Sequence, residues 1–483
     1  MSALVVFVAI FCSFVTAVPL RGPPAPEGSD LPSPYWYQQP LDQFDPNVKA
    51  TWQQRYFVNA SYWTQTGPVF LMLGGEGPAN PTWLVADTEI MLNAQKYGAM
   101  VILLEHRYYG ESHPTDDTSL SNIKYLSSKQ ALADAARFHD AIVAVYKMSS
   151  VNKWVVFGGS YSGALSAWMR ILYPDIVAGA VATSGPVLAE LNFYQYLEVV
   201  QSSLAVTTQG AQCNENILAA ITELDKMLED DHGWPLADEQ FFVDPPLQSM
   251  DDARQLVGNL IDIFADVVQY NKDNTAFEGR ANAFTTDDLC NFMCDASKGT
   301  PLQRLAALNA LFLKNGGQNT TDASYKDLVE GMRMFNWSDP SVTSGERQWY
   351  YQTCTEFGYF QTTDSDQQPF GDLVNLDSFT NVCYDVFNIT QSAVLQSVYN
   401  TNTYYGGKDI PTNVTNIVFP NGSIDPWHVL GITQNITAQL PAIFINGTAH
   451  CANMYPPSPS DLPGLKSARI EISALIGTWL ATA

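Results

Sequence analysis

The chain is poor in basic residues. Its 483 residues include 24 Lys and Arg side chains against 49 Asp and Glu, which gives a formal charge of -25 at pH 7. Proteins that hold nucleic acid or an anionic membrane surface use Lys and Arg to contact phosphate groups. The composition therefore argues against both kinds of partner. The sequence also shows no metal-ligand cluster and no nucleotide-binding loop, so we expect neither a metal nor a cofactor.

Long apolar runs are absent after the first residues. Residues 2–17 are mainly apolar, but the run is short for a bilayer span and ends in Val15-Thr16-Ala17, with small residues at a cleavage position. We interpret residues 1–17 as a signal peptide. An N-terminal membrane anchor stays open, because the basic residues that usually precede the apolar part of a signal peptide are missing.

Cysteines are few, and their number is informative. Removal of Cys12 with the signal peptide leaves six, an even set that fits three disulfides in an oxidising compartment. Eight Asn-x-Ser/Thr sequons also indicate export. They begin at Asn59, Asn319, Asn336, Asn388, Asn413, Asn421, Asn435 and Asn446. We expect a secreted or lysosomal/endosomal glycoprotein.

Strand-like and helix-like segments alternate in the first part of the chain. Short continuous apolar runs predict strands buried on both faces of a parallel sheet; they lie at 68–73, 100–104, 154–157 and 176–183 and return at 416–419 and 442–445. Between the runs at 176–183 and 416–419, amphipathic helices follow one another with no strands. The sequence thus predicts a mostly parallel α/β sheet formed by residues 18–189 and 401–483, with a helical insertion at 190–400.

A serine with small neighbours lies at one of the predicted strand-to-helix turns. The stretch Gly158-Gly159-Ser160-Tyr161-Ser162-Gly163 follows the strand at 154–157, and such a sharp turn exposes the serine hydroxyl above the sheet. Ser162 stands where the usual G-x-S-x-G pattern has its second glycine. We predict that Ser160 is a nucleophile; a glycine-rich turn that binds phosphate or only packs tightly is the alternative.

A serine nucleophile needs a base and an orienting carboxylate, and in sheets of this type the three residues follow along the chain in the order Ser, acid, His. Of the six histidines, only two lie after both the serine and the insertion: His428 and His450. His450 follows the run at 442–445, and Asp425 follows the run at 416–419, so both come from the ends of strands. We predict the triad Ser160, Asp425 and His450. His428 is interpreted as a surface or capping residue.

The oxyanion of an acyl intermediate needs backbone donors. We expect one from the N–H of Tyr161, directly after the nucleophile, and one from Gly75 in the loop Gly74-Gly75-Glu76-Gly77 after the first buried strand.

Five motifs, which occur in the right order along the chain, resemble the prolyl carboxypeptidase family, which also includes lysosomal dipeptidyl peptidase 2 and thymus-specific serine protease. They are Gly158-Gly159-Ser160-Tyr161-x-Gly163, Glu105-His106-Arg107-Tyr108-Tyr109-Gly110-Glu111-Ser112, Trp349-x-Tyr351-Gln352-Thr353-Cys354-Thr355-Glu356-Phe357-Gly358, Asn421-Gly422-x-x-Asp425-Pro426-Trp427 and Ala449-His450-Cys451. The resemblance runs from about residue 35 to the C-terminus. The stretch 354–362 is most similar to the thymus-specific branch.

The resemblance implies an α/β-hydrolase fold with a helical lid domain and a serine exopeptidase that cleaves peptides next to proline. It gives Ser160, Asp425 and His450 the same triad roles. The substrate-binding candidates are Glu76, Glu356 and Trp427, whose indole would form a wall of the proline pocket unless it is only a packing residue. The resemblance also pairs Cys213 with Cys290 and Cys354 with Cys383, and leaves open whether Cys294 and Cys451 join the lid to the catalytic domain.

Other functions use the same residues. A secreted esterase or lipase has the same triad under an apolar lid, whereas an exopeptidase lid needs a charge, such as Glu356, for a substrate terminus. A non-catalytic hydrolase-like binding protein is a third interpretation. The choice between carboxypeptidase and aminodipeptidase, and whether the chain forms a homodimer, stay open at this point.

Overall fold

The computed structural model describes residues 22–272 and 284–481, so the predicted signal peptide at 1–17 lies outside the described residues. An eight-stranded sheet forms the centre. Its strands, with a separate two-stranded pair (β7 and β8), are β1 Tyr35–Pro40, β2 Thr51–Asn59, β3 Val69–Leu73, β4 Met100–Leu104, β5 Trp154–Gly159, β6 Gly179–Thr183, β7 Glu190–Asn192, β8 Gly358–Phe360, β9 Ile417–Gly422 and β10 Ala442–Ile445.

The strand order in the main sheet is β1-β2-β4-β3-β5-β6-β9-β10. The pairs β1–β2 and β2–β4 are antiparallel, and all other neighbours are parallel. Every residue of β3, β4, β5, β6 and β9 is buried, because helices cover both faces of the sheet. This explains the continuous apolar runs of the sequence.

Five helices belong to the sheet region: α1 Glu89–Tyr97, α2 Leu120–Ile123, α3 Ser128–Tyr146, α4 Tyr161–Leu172 and α16 Pro463–Ala481. Apolar side chains of α3 and α4 pack on one face, and those of α1 and α16 pack on the other. The arrangement is the α/β-hydrolase fold predicted from the sequence, with a mostly parallel sheet between two helical layers. No helix within residues 22–272 and 284–481 has both the length and the apolarity to cross a membrane.

Eleven described helices lie between β7 and β9: α5 Gln195–Ala205, α6 Ala211–Leu228, α7 Trp234–Phe241, α8 Met250–Gln269, α9 Thr286–Cys294, α10 Pro301–Asn315, α11 Tyr325–Arg333, α12 Pro340–Thr343, α13 Glu346–Gln352, α14 Leu376–Phe387 and α15 Gln391–Tyr405. A π-helix, Thr353–Phe357, continues α13. Apolar side chains of these helices form one continuous cluster with the face of the sheet that α3 and α4 cover. This helical region therefore lies on the sheet.

The structure corrects the sequence prediction in two places. The region 190–400 is not free of strands, because β7 and β8 pair in parallel, with Glu190 opposite Gly358. A Cβ on Gly358 would lie 2.5 Å from the carbonyl oxygen of Glu190, so only glycine fits there. The second correction concerns residues 420–422, which lie beyond the predicted strand at 416–419 and instead complete β9.

Candidate active site

Ser160 lies between β5 and α4 with backbone angles φ 60° and ψ -133°, a conformation that side-chain-bearing residues rarely adopt. Glycines permit this turn. A Cβ on Gly158 would lie 2.0 Å from the carbonyl oxygen of Ser162, and one on Gly163 would lie 2.3 Å from that of Thr183. The strained turn is therefore built by close backbone contacts on both sides. Ser162, which replaces the second glycine of the usual pattern, is buried and bonds the backbone of Gly159.

Asp425 and His450 form a buried pair. Nδ1 of His450 lies 2.9 Å from Oδ1 of Asp425, and the two side chains are 1% and 0% exposed. Burial disfavours a charged imidazole, but the carboxylate of Asp425, together with Cys451, outweighs this effect and holds the pKa of His450 well above its ordinary value. The backbone N–H of Trp427 donates to the same Oδ1 at 3.0 Å. The carboxylate is thus oriented towards the imidazole.

The end of β6 connects the serine turn with the histidine loop. The N–H of Ser160 donates to the carbonyl of Thr183 at 3.1 Å, and the N–H of Cys451 donates to Oγ of Ser184 at 3.0 Å. Because β5, β6, β9 and β10 are neighbours and run in parallel, the residues that follow them meet at one edge of the sheet. The structure brings Ser160, Asp425 and His450 to that edge.

The loop after β3 lies beside the serine turn. A Cβ on Gly75 would lie 3.6 Å from the backbone nitrogen of Ser162, so this loop packs on the first turn of α4. Glu76 is buried, and its Oε1 has no hydrogen-bond partner in the described part of the chain. Burial raises the pKa of Glu76 to about 7, although its own N–H and His450 act in the opposite direction. An uncompensated carboxyl therefore lies next to the base.

The side chain of Tyr161 is held by a buried polar network. Its hydroxyl accepts a hydrogen bond from Nε2 of Gln352 at 3.0 Å and lies 3.1 Å from Nε2 of His106. Nδ1 of His106 is 2.7 Å from the carbonyl of Arg107, so Nδ1 carries the proton and Nε2 accepts from Tyr161. Burial lowers the pKa of His106 to about 3, which keeps this imidazole neutral. The residue after the nucleophile is thereby fixed to α13.

Glu356 belongs to the same network. Its carboxylate accepts hydrogen bonds from the N–H and the hydroxyl of Ser128, at 3.0 and 2.6 Å, and from Nε2 of Gln352 at 3.0 Å. Both oxygens are therefore engaged inside the protein. These contacts argue against the expectation that Glu356 holds a substrate terminus, and favour a role in joining the helical region to α3.

Trp427 is buried among aromatic rings. The rings of Phe193, Tyr196 and Tyr359 lie 5.4 to 5.7 Å from its indole, between centroids. Its Nε1 donates to Oε1 of Gln269, the last residue of α8, at 2.9 Å. Gln269 is a site residue that the sequence analysis did not identify. His428, by contrast, bonds the backbone carbonyl of Asp425 through Nδ1, which agrees with a capping role.

The structure contains the disulfides Cys213–Cys290 and Cys354–Cys383, the pairs that the resemblance implies. Cys294 and Cys451 are free thiols, so these two cysteines do not form the third disulfide that an even set of six allowed. Within the described residues, no group of three or more His, Cys, Asp or Glu side chains is arranged to hold a metal.

The sequons differ in accessibility. Six asparagines are exposed: Asn319, Asn336, Asn388, Asn413, Asn435 and Asn446. Asn59 is half-buried, whereas Asn421 is 2% exposed within β9. The fold therefore leaves no room for a glycan on Asn421, which corrects the sequence prediction at this position.

Comparison with known proteins gives four relevant likenesses. The family model described as serine carboxypeptidase S28 matches residues 39–472. The chain is 36% identical to thymus-specific serine protease of Mus musculus over 463 residues, covering 93% of this chain and 88% of that protein. It is 28% identical to lysosomal Pro-X carboxypeptidase of Homo sapiens over 432 residues, covering 86% and 82%. Among solved structures, proline iminopeptidase of Mycobacterium smegmatis covers 92% of this chain and 99% of its own, with 12% identity and a TM-score of 0.37.

Proposed function

This chain belongs to the serine carboxypeptidase S28 family and is thus a serine-type exopeptidase, and we propose that it cleaves peptides next to proline through Ser160, Asp425 and His450. The observation that carries the proposal is the buried Asp425–His450 pair, 2.9 Å apart, at the sheet edge where Ser160 lies in a strained turn. No other imidazole among the described residues combines a carboxylate partner with this position.

In the proposed mechanism, His450 removes the proton of the Ser160 hydroxyl as the serine attacks the scissile carbonyl. Asp425 orients the imidazole and stabilises its charged form. The N–H groups of Tyr161 and Gly75 receive the oxyanion, and His450 then protonates the departing amine. Water hydrolyses the acyl-enzyme in a second half-reaction with the same base.

The preference for proline is supported by the surroundings of Trp427. Its flat apolar ring packs against Phe193, Tyr196 and Tyr359. Since Trp427 follows Asp425 by two positions, this aromatic wall lies next to the reacting groups. A pyrrolidine ring has the shape and polarity that such a wall accepts. Glu76 is a buried carboxyl that interacts electrostatically with His450, and its Oε1 has no hydrogen-bond partner in the described part of the chain. This makes it the candidate contact for a polar end of the substrate.

We also propose that the chain passes through the secretory pathway to the cell exterior or to lysosomes. Two disulfides and six exposed sequons support this route, as does the lysosomal relative.

Two fluorogenic peptides test the reaction. One has a free amino terminus and X-Pro before the reporter; the other has a blocked amino terminus and Pro-X at a free carboxyl end. Cleavage of only the first indicates a dipeptidyl peptidase, and cleavage of only the second indicates a Pro-X carboxypeptidase. The Ser160→Ala variant must lose either activity. Cleavage of neither peptide, with Ser160 still labelled by a fluorophosphonate, would refute the proline preference and leave the nucleophile in place.

A further inference from the structure

Helix α8 ends against the loop that carries His450. Its last residue, Gln269, is buried, and its backbone carbonyl accepts a hydrogen bond from the N–H of His450 at 3.0 Å. The last carbonyls of an α-helix have no partner within the helix, so this one is available to the loop. The main chain of His450 is therefore fixed by a helix that lies outside the sheet.

The side chain of Gln269 makes two further contacts. Oε1 accepts hydrogen bonds from Nε1 of Trp427 at 2.9 Å and from the hydroxyl of Tyr196 at 2.7 Å. An indole N–H can only donate, so the amide oxygen must face it. Both lone pairs of this oxygen are used, and the orientation of the amide is determined.

These contacts reach both members of the Asp425–His450 pair. Trp427 donates its backbone N–H to Asp425 and its indole N–H to Gln269, while the carbonyl of Gln269 holds the backbone of His450. One residue of the helical region thus connects the aspartate loop with the histidine loop, which come from different strands.

The C-terminal end of a helix carries a partial negative charge, which favours a cation within its last turn. The end of α8 lies at His450, where an imidazolium forms during the proposed acylation. The other charged or titratable groups that act on His450 are Asp425, Cys451 and Glu76, and the ring of Tyr270 lies 6.1 Å from the imidazole, between centroids. All of these except Tyr270 belong to the sheet region.

We propose that Gln269 is a positioning residue: it aligns His450 with Asp425 and fixes the Trp427 wall, so the base is competent only while α8 is docked on the sheet. This inference rests on the proposed function, since it assigns Gln269 a role in the reaction of Ser160. It makes the helical region part of the catalytic apparatus as well as a cover.

The variant Gln269→Leu tests the proposal, because it removes the side-chain acceptor of Trp427 and Tyr196 and keeps the size, while the backbone carbonyl that accepts from His450 stays. We expect the rate of Ser160 labelling by a fluorophosphonate to fall about tenfold or more, because even a small misplacement of a catalytic group slows the reaction strongly. The acid limb of the labelling rate should move to lower pH, because contact with Asp425 is the largest of the contributions that raise the pKa of His450. Peptide hydrolysis should lose kcat more than it changes KM.

A matched control lies on the same helix. Asn259 is also a buried amide of α8, but it donates to the carbonyl of Asp322 at 2.8 Å, within the helical region. Asn259→Leu should lower the melting temperature and leave the labelling rate and its pH dependence unchanged. If Gln269→Leu does not fold, Tyr196→Phe replaces it; removal of this hydroxyl should slow labelling several-fold.

Three results would overturn the inference: a folded Gln269→Leu variant labelled at the wild-type rate at every pH, an Asn259→Leu variant slowed equally, or, where Gln269→Leu does not fold, a Tyr196→Phe variant labelled at the wild-type rate. Failure of the proposed function looks different. In that case Ser160→Ala keeps its hydrolytic activity, whereas failure of the Gln269 inference alone leaves Ser160→Ala inactive and Gln269→Leu fully active.

Discussion

The hydroxyl of Ser162 closes the turn that carries Ser160 by bonding both backbone groups of Gly159. It donates to the carbonyl at 2.8 Å and accepts from the N–H at 3.1 Å. A glycine at this position would leave both groups without that partner. The departure from the usual glycine pattern therefore adds hydrogen bonds to the turn and does not crowd it.

Replacement of Ser162 by alanine should lower the free energy of unfolding by about 1–3 kcal/mol, because buried polar groups of Gly159 lose their partner. Urea denaturation followed by circular dichroism measures the change. Ser166→Ala is the control: Ser166 is equally buried on α4, but its hydroxyl only donates to the carbonyl of Ser162. Equal losses in the two variants would contradict a special role for Ser162.

Replacement of Asp425 by asparagine should reduce kcat by about 10³- to 10⁴-fold, since the amide cannot hold the imidazole in the required tautomer. The carboxylate of Asp425 raises the pKa of His450. Loss of this negative charge should therefore also move the acid limb of kcat/KM to lower pH. A pH–rate profile with the cleaved peptide measures both effects. An unshifted acid limb would show that another group controls the ionisation of His450.

The buried parallel strands could be predicted because burial on both faces demands apolar residues at every position. Met100–Leu104 is such a strand, and all five residues are buried. The proposed triad rests on a related pattern: Ser160 and Asp425 come after the buried strands β5 and β9, and His450 comes after the partly exposed strand β10. Their order along the chain is the one that this fold uses.

Strand β1, at one edge of the main sheet, and the separate pair β7 and β8 could not be predicted in this way. Strand β1 exposes Tyr35 and Trp36, and buries Gln39, which bonds the side chain of Gln54. Its polarity pattern therefore does not report which residues face the core. Strands β7 and β8, with three residues each, are too short for any period to appear.

Gln269 illustrates what the sequence hides at the site. Its bond to Trp427 joins residues 158 positions apart, and a glutamine at the end of an amphipathic helix resembles any solvent-exposed residue. The same holds for Glu356, whose partners Ser128 and Gln352 come from two different elements. Such contacts depend on how the helical region docks, which local patterns do not encode.

The carboxyls of Glu76 and Glu89 should make stability depend on pH. Burial raises the pKa of each from 4.5 to about 7, so between these values the folded state binds more protons than the unfolded state. Their contribution to stability is therefore complete below about pH 4.5 and is lost as the pH rises through 7. Relative to wild type, Glu76→Gln and Glu89→Gln should each gain on the order of 2–3 kcal/mol between pH 4.5 and 8.

The two glutamates differ in position, which provides the control for activity. Glu76 acts on His450, whereas Glu89 accepts a hydrogen bond from Asn453 and lies near Arg469. Loss of the Glu76 charge should move the acid limb of kcat/KM to lower pH, and loss of the Glu89 charge should not. Thermal denaturation over a pH series and the pH–rate profiles of both variants measure this. Equal profiles would place Glu76 outside the site.

The sequon at Asn421 should carry no glycan in the folded, secreted chain. Its side chain lies inside β9 and donates to the carbonyl of Ile432 at 2.9 Å, and a glycan of any size would have to displace this contact. Glycopeptide mass spectrometry should find Asn421 unmodified, while exposed sites such as Asn388 and Asn446 are available to the glycosylation machinery.

Two substitutions test whether burial is the reason that Asn421 carries no glycan. Asn421→Ala leaves the carbonyl of Ile432 unsatisfied next to Gly431 and should cost about 1–3 kcal/mol of stability, whereas Asn413→Ala, at an exposed position, should cost less than about 0.5 kcal/mol. Because β9 leads directly to Asp425, the same change should also slow Ser160 labelling. A glycan on Asn421 in active protein would mean that the end of β9 is exposed to solvent, and that the Asp425–His450 pair is exposed as well.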